Sequence, residues 1–183
     1  MIEELGASFF WGSSLVFGLV VGSFLNVVIH RLPLGESVVS PRSRCPGCRN
    51  PIAARDNLPV VSYLLLGGRC RNCGEPISLR YPGVELLTGL LFAAMAWHFG
   101  ATAMAPLFMF FAAAMVVAAL IDLDHRIIPD EISVGGLVLG LAAVPWVESL
   151  APESSYGAAL ARSGLGALLG GGLLWSVGFL HAR

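Results

Sequence analysis

The sequence predicts an all-α polytopic membrane protein of about five transmembrane helices, interrupted once by a small cytoplasmic zinc-binding loop domain. Three observations carry this reading. Of the 183 residues, 56% are hydrophobic and 13% are charged, with a mean hydropathy of +0.76, whereas a soluble domain of this length carries about a quarter charged residues. There is no Lys, and most of the Arg residues lie between Arg31 and Arg80. All four Cys fall inside that same polar stretch, as two CxxC pairs.

The first apolar run, Phe9 to Ile29, is long enough for the roughly 20 residues that a bilayer crossing takes. Glu3 and Glu4 precede it. A secretory leader opens with positive charge, so the run reads as a retained helix. After the polar loop come four further apolar segments, at about Val84–Phe99, Leu107–Ile121, Ile132–Val147 and Leu165–Leu180. The second and third of the five are short for a bilayer, so their polar ends reach the interface or the helices extend past these limits. They are apolar on every face, which argues against a water-soluble helical core. The expected division is residues 1–30 as the first transmembrane helix, 31–82 as a metal-binding loop domain and 83–183 as a second helical part.

The Arg-rich loop from Arg31 to Arg80 sets the orientation, because basic loops stay cytoplasmic. The N-terminus and the Gly100–Ala105 turn are then outside. The Asp122–Asp130 turn, with Arg126, is inside, and the acidic Glu148–Ser155 stretch is outside. The C-terminus, with His181 and Arg183, is inside, leaving Arg162 as the one basic residue on the unexpected side. Trp11, Trp97, Trp146 and Trp175 mostly fall near segment ends, as interfacial anchors do. Small residues four apart (Gly18 and Gly22, Gly136 and Gly140, Gly166 and Gly170) allow close helix packing within one bundle. The sequence reads as free of tandem repeats. A net charge of −1 excludes nucleic acid as a main partner, since phosphate binding needs a basic surface.

The loop places Cys45-Pro46-Gly47-Cys48 and Cys70-Arg71-Asn72-Cys73 twenty-one residues apart. Two CxxC pairs at this distance fit a four-thiolate Zn²⁺ site, each two-residue gap letting one tight turn present two sulfurs to one ion. Gly47 and Gly74 are expected to supply the positive φ of those turns. Nearby Arg residues offset the charge of four thiolates. Such a site is closed, hence structural. Four free thiols, or a redox CxxC, are the competing readings.

The third apolar segment ends in Ile121-Asp122-Leu123-Asp124-His125-Arg126-Ile127-Ile128-Pro129-Asp130. An Asp that ends an apolar helix has two readings. In one, Asp122 and Asp124 simply reach the headgroup zone and Asp130 caps the next helix. In the other, a carboxylate activates water as half of an aspartyl dyad, one partner ionised and the other protonated. Asp122 and Asp124 point about 200° apart on a helix, so neither is the other's partner. Glu85 enters the second segment as a helix-start acid, with a methyl-transfer role as the rival reading. Asn26 and His30 read as a helix–helix hydrogen bond and an interfacial anchor, with substrate contact as the rival.

Four stretches together resemble the bacterial type IV prepilin peptidases. They are GSFLNVVIHRLP (Gly22–Pro33), the two CxxC pairs, NLPVVSYLLLGGRCRNC running into ISLRYPGVELLTG (Asn57–Gly89), and IDLDHRIIPD (Ile121–Asp130). The resemblance implies an inner-membrane aspartyl endopeptidase that removes the basic leader of prepilins and pseudopilins after a Gly, at the cytoplasmic face. Many members also methylate the new N-terminus with S-adenosylmethionine, and the Cys-bearing domain goes with these bifunctional ones. Asp122 matches the family's first catalytic Asp, while Asp124 and Asp130 match neighbouring motif positions. The family's second catalytic Asp lies in a GxGD motif after the fifth segment, and no GxGD occurs in these 183 residues. Glu148 and Glu153, placed outside, cannot replace it. The chain as given is therefore expected to hold one half of the dyad and to be inactive alone. The alternative is a non-catalytic membrane zinc module that binds pilin-like helices or assembly proteins.

Overall fold

A computed structural model describes residues 2–149 and 156–181. Glu153, Ser155 and Arg183 lie outside the described residues, as do the side chains of Trp146, Glu148, Trp175 and His181. Five long helices form, with a short one in the loop: α1 Ile2–Arg31, α2 Val61–Leu65, α3 Arg80–Phe99, α4 Met104–His125, α5 Asp130–Ser149 and α6 Tyr156–His181. There is no strand among the described residues, only two isolated bridges in the loop. Among the described residues three stretches are long and apolar enough to cross a membrane: Gly6–Leu34, Arg80–Phe99 and Met104–His125. The second and third segments thus run past their expected limits, because Arg80 and Asp124 extend the helices into the polar ends.

The chain divides into two compact units, 1–129 and 130–183. In the second, α5 and α6 pack on each other, with Val144 and Ala159 buried. Asp130 is the first residue of α5, not the residue before it. There its charge, with that of Glu131, favours the positive helix end.

The first unit is organised by an antiparallel pair, α1 against α3. One residue in four along α1 faces the partner, and these are small or polar: Ser14, Gly18, Gly22 and Asn26. A Cβ on Gly18 would lie 2.8 Å from Gly89 Cα and from Thr88 O, and one on Gly22 would lie 2.7 Å from Glu85 Cα. The backbones therefore touch, which in lipid is what small residues permit. Asn26 Nδ2 donates to Gly22 O (3.3 Å) and across the interface to Tyr81 O (3.1 Å). It is the helix–helix bond expected of it, while His30 is exposed. Phe17 packs against Phe92 above the glycines, ring centroids 5.9 Å apart. Around Gly136, Gly140, Gly166 and Gly170 an added Cβ meets nothing within 4 Å among the described residues.

α4 returns antiparallel to α3 after a turn at Gly100, where Phe99 stacks on Phe108 (4.4 Å, 12°). The N-terminus of α3 therefore lies beside the C-terminus of α4. Gly18→Ala and Gly22→Ala should each force the α1–α3 pair apart, lowering stability by about 1–3 kcal/mol. Gly12→Ala, which meets nothing, should be neutral or slightly stabilising. Thermal unfolding of the purified protein in detergent checks the contrast.

Candidate metal cluster and acidic turn

The two CxxC segments fold as copies of one knuckle. In the first, Cys45 N–H donates to Asn50 O (3.0 Å), Arg49 N–H to Cys45 O (2.9 Å) and Ile52 N–H to Ser43 O (3.0 Å). In the second, Cys70 N–H donates to Glu75 O (2.8 Å), Gly74 N–H to Cys70 O (2.9 Å) and Ile77 N–H to Gly68 O (2.7 Å). Arg44 bridges Pro51 as Arg69 bridges Pro76. The sequence does contain a repeat, RCPGCRNPI and RCRNCGEPI, concealed because Arg, Cys, Pro and Ile alone are shared. The left-handed residue of each knuckle follows its second Cys: Arg49 (φ 58°) and Gly74 (φ 73°). Gly74 fills the expected role and Gly47 does not. A Cβ on Gly47 would instead meet the Glu75 side chain at 3.3 Å, so its smallness lets the second knuckle approach.

The four sulfurs of Cys45, Cys48, Cys70 and Cys73 lie within 4.8 Å of one another, and no disulfide joins them. Cys45 Sγ and Cys73 Sγ are 3.7 Å apart. A tetrahedron of ~2.3 Å Zn–S bonds has edges of about 3.8 Å, so the cluster fits one zinc ion held by protein alone. Without metal the thiols share protons unequally. The N–H groups of Cys73 and Asn72 draw the Cys70 thiol down to about 7. Cys73 is pushed up to about 12: the Glu75 N–H works the other way, but desolvation and the sulfurs of Cys48, Cys70 and Cys45 hold its proton. Arg71, inside the second knuckle, is committed to Asp56, donating from Nε (3.0 Å) and Nη2 (2.7 Å). This pair holds Asp56 below the usual carboxylate range and ties the 3₁₀ turn Ala54–Asn57 to the metal cluster.

The loop is fastened to the helices at one unusual residue. Val60 has φ 60° and ψ −47°, a conformation that a β-branched residue adopts at a cost of about 1–3 kcal/mol. Its N–H donates to Glu85 Oε2 at 2.7 Å. Glu85 is buried on α3 and carries this anchor. Its place one turn inside the helix, not at the first residue, distinguishes it from an ordinary helix-start acid.

At the other end of the same helix turn, Arg80 reaches α4. Its Nη2 lies 2.6 Å from Asp124 Oδ2 and its Nη1 2.8 Å from Asp124 Oδ1, with a longer contact to Leu120 O (3.4 Å). Asp122 points elsewhere, as i,i+2 geometry requires. It is exposed, and its carboxylate has no hydrogen-bond partner among the described residues. Its carbonyl accepts from Arg126 N–H (2.8 Å), and Arg126 closes α4 in the left-handed region at φ 56°. Arg80 escaped sequence reasoning. The signal was there: a base opening one helix and an acid ending its antiparallel neighbour.

Two regions match known families: residues 16–99 the bacterial Peptidase A24 N-terminal domain, and residues 109–182 the type IV leader peptidase family. Proteins named prepilin leader peptidase/N-methyltransferase are similar throughout. That of Klebsiella pneumoniae is 43% identical over 97% of this chain and 78% of its own length. That of Pseudomonas aeruginosa is 39% identical over 91% and 63%, and that of Myxococcus xanthus 53% over 69% and 38%. The chain thus spans well under two thirds of some of these relatives. No solved structure matches it.

Two outcomes follow from the geometry. Purified protein should carry one zinc per chain, and Cys45→Ser or Cys70→Ser should lose it and open the whole loop to trypsin. Because protons compete with metal for thiolates, the site should give up its zinc more readily as pH falls. Metal analysis with thiol titration at several pH values checks both. For the ion pair, Arg80→Gln or Asp124→Asn should each lower stability slightly, and the double variant little more than either. Unfolding in detergent gives that cycle.

Proposed function

Since the chain belongs to the type IV leader peptidase family, we propose that it supplies the metal-bearing loop and the first catalytic carboxylate of a membrane aspartyl endopeptidase. Its substrates are type IV prepilins or pseudopilins, cut after the leader Gly at the cytoplasmic face of the inner membrane. Methylation of the new N-terminus with S-adenosylmethionine is part of the same proposal and rests on the names of the relatives. In this reading residues 31–82 form a cytoplasmic zinc domain, the N-terminus lies outside, and Cys45, Cys48, Cys70 and Cys73 hold a structural Zn²⁺.

The observation that carries the proposal is the contrast between two neighbouring acids. Asp124 is taken by Arg80, while Asp122 is exposed and unpaired among the described residues at the end of an apolar helix. An acid already engaged by a guanidinium through two hydrogen bonds is not free to pair with a second carboxylate. A free carboxylate at the membrane surface can share a proton with a second Asp and activate water. Asp122 is therefore assigned to catalysis and Asp124 to positioning the turn that bears it. Asp130, opening α5, supports its helix start.

These 183 residues contain no GxGD, so the chain alone is expected not to cleave a prepilin. A chimera continued with the C-terminal segment of the Klebsiella pneumoniae relative should cleave. In that chimera, Asp122→Asn should reduce leader removal by several orders of magnitude with the protein still folded, since Asn keeps the shape and cannot ionise. Asp124→Asn and Asp130→Asn should retain measurable activity. Gel-shift assay of a purified prepilin in detergent reads all three. Robust cleavage by the Asp122→Asn chimera would show the wrong carboxylate has been assigned. A folded, zinc-loaded chimera that binds prepilin without cutting it would favour a non-catalytic zinc module.

A further inference from the structure

The loop between α1 and α3 contains a stretch with no counterpart in a water-exposed domain. From Asn57 to Gly68 there is no charged residue, although Asp56 and Arg69 stand at its borders. An apolar stretch of this length is too short to span a bilayer, and it belongs either in a core or at an interface. Here it is not in a core. Leu58, Val61, Leu64 and Leu65 are 53%, 50%, 71% and 79% exposed. Val61, Leu64 and Leu65 (i, i+3, i+4) share one face of α2, and Leu58 lies on its approach. The opposite face is fixed: Ser62 is buried, accepts from Leu58 N–H (2.8 Å) and donates to Arg55 O (3.0 Å).

We propose that this face is a membrane-surface anchor, with Leu58, Val61, Leu64 and Leu65 seated in the lipid interface beside α3. The occupant is fixed by position. Val60, one residue before α2, is bonded to Glu85, five residues inside a helix long and apolar enough to cross the membrane. At 1.5 Å per residue this is about 7 Å past Arg80, within the ~5–10 Å depth at which interfacial helices bury their apolar faces. On α3 the residues after Glu85, Leu86 and Leu87, are exposed as well. Burying four aliphatic side chains in lipid also offsets the cost of holding Val60 at positive φ. The loop is then not suspended in the cytoplasm. It lies against the membrane, with its metal knuckles just beyond the surface.

The unaltered chain tests this. With no Lys present, trypsin releases the whole segment as one peptide, Asp56–Arg69, next to a knuckle peptide, Asn50–Arg55. The protein is reconstituted in phosphatidylcholine–phosphatidylglycerol vesicles containing a phospholipid with a diazirine on its acyl chain, photolysed, digested and mapped by mass spectrometry. Asp56–Arg69 should take up at least about five times more lipid label than Asn50–Arg55, because its apolar face reaches acyl chains. The spanning peptide Tyr81–Arg126 labels in any case if α3 and α4 cross the bilayer. Label in Tyr81–Arg126 with none in Asp56–Arg69 would overturn the inference and leave the membrane-spanning reading intact. Label in neither peptide would remove both readings.

Discussion

The structure depends on the contact of α1 with α3 at two glycines. Lipid gives helices no hydrophobic reason to associate, so cohesion must come from close packing and from bonds between them. Gly18 and Gly22 supply the first by letting backbones touch, and Asn26 supplies the second through Tyr81. Thr88, fully buried at the same seam, is satisfied within its own helix by Val84 O (2.8 Å). Among the described residues no fully buried side-chain polar atom is left without a partner.

Everything at the functional end follows from where this contact puts the first turns of α3. Arg80 and Glu85 are five residues apart and serve different neighbours. Arg80 holds the end of α4 and so the turn bearing Asp122. Glu85 holds Val60 and so the loop bearing the cysteines. Acidic turn and metal loop are thus both referred to one short piece of helix, and the loop is held to α1 as well, where Arg31 donates to Ser37 O and Pro41 O (2.9 Å each). Two residues in left-handed backbone, Val60 and Arg126, stand at these junctions. Each is a place where the chain must change direction at once, on leaving the loop and on leaving α4.

The long helices were legible because apolar length is a strong and local signal. Their ends were less so, since Arg80 and Asp124 look like loop residues until each is seen to neutralise the other. The four-cysteine cluster was readable from spacing alone, which two-residue gaps fix tightly. The turn that makes it was not: Gly47 was the natural candidate for positive φ, and Arg49 has it instead. A glycine signals freedom of two kinds, conformation and proximity, and sequence does not say which is used. Glu85 was hardest, because its partner is a backbone N–H that has no letter in the sequence.

The duplicated knuckles have a consequence for how the chain is tied. A single ion held equally by two copies would be a cross-link between Cys45 and Cys73, and by polymer reasoning closing a loop of that length would remove about 3–4 kcal/mol of unfolded-state entropy. The tie lies between the two helices whose packing organises the first unit. A bound ion would then limit how far α1 and α3 can drift apart. A loop outside the helix pair would in this way help to hold the pair together.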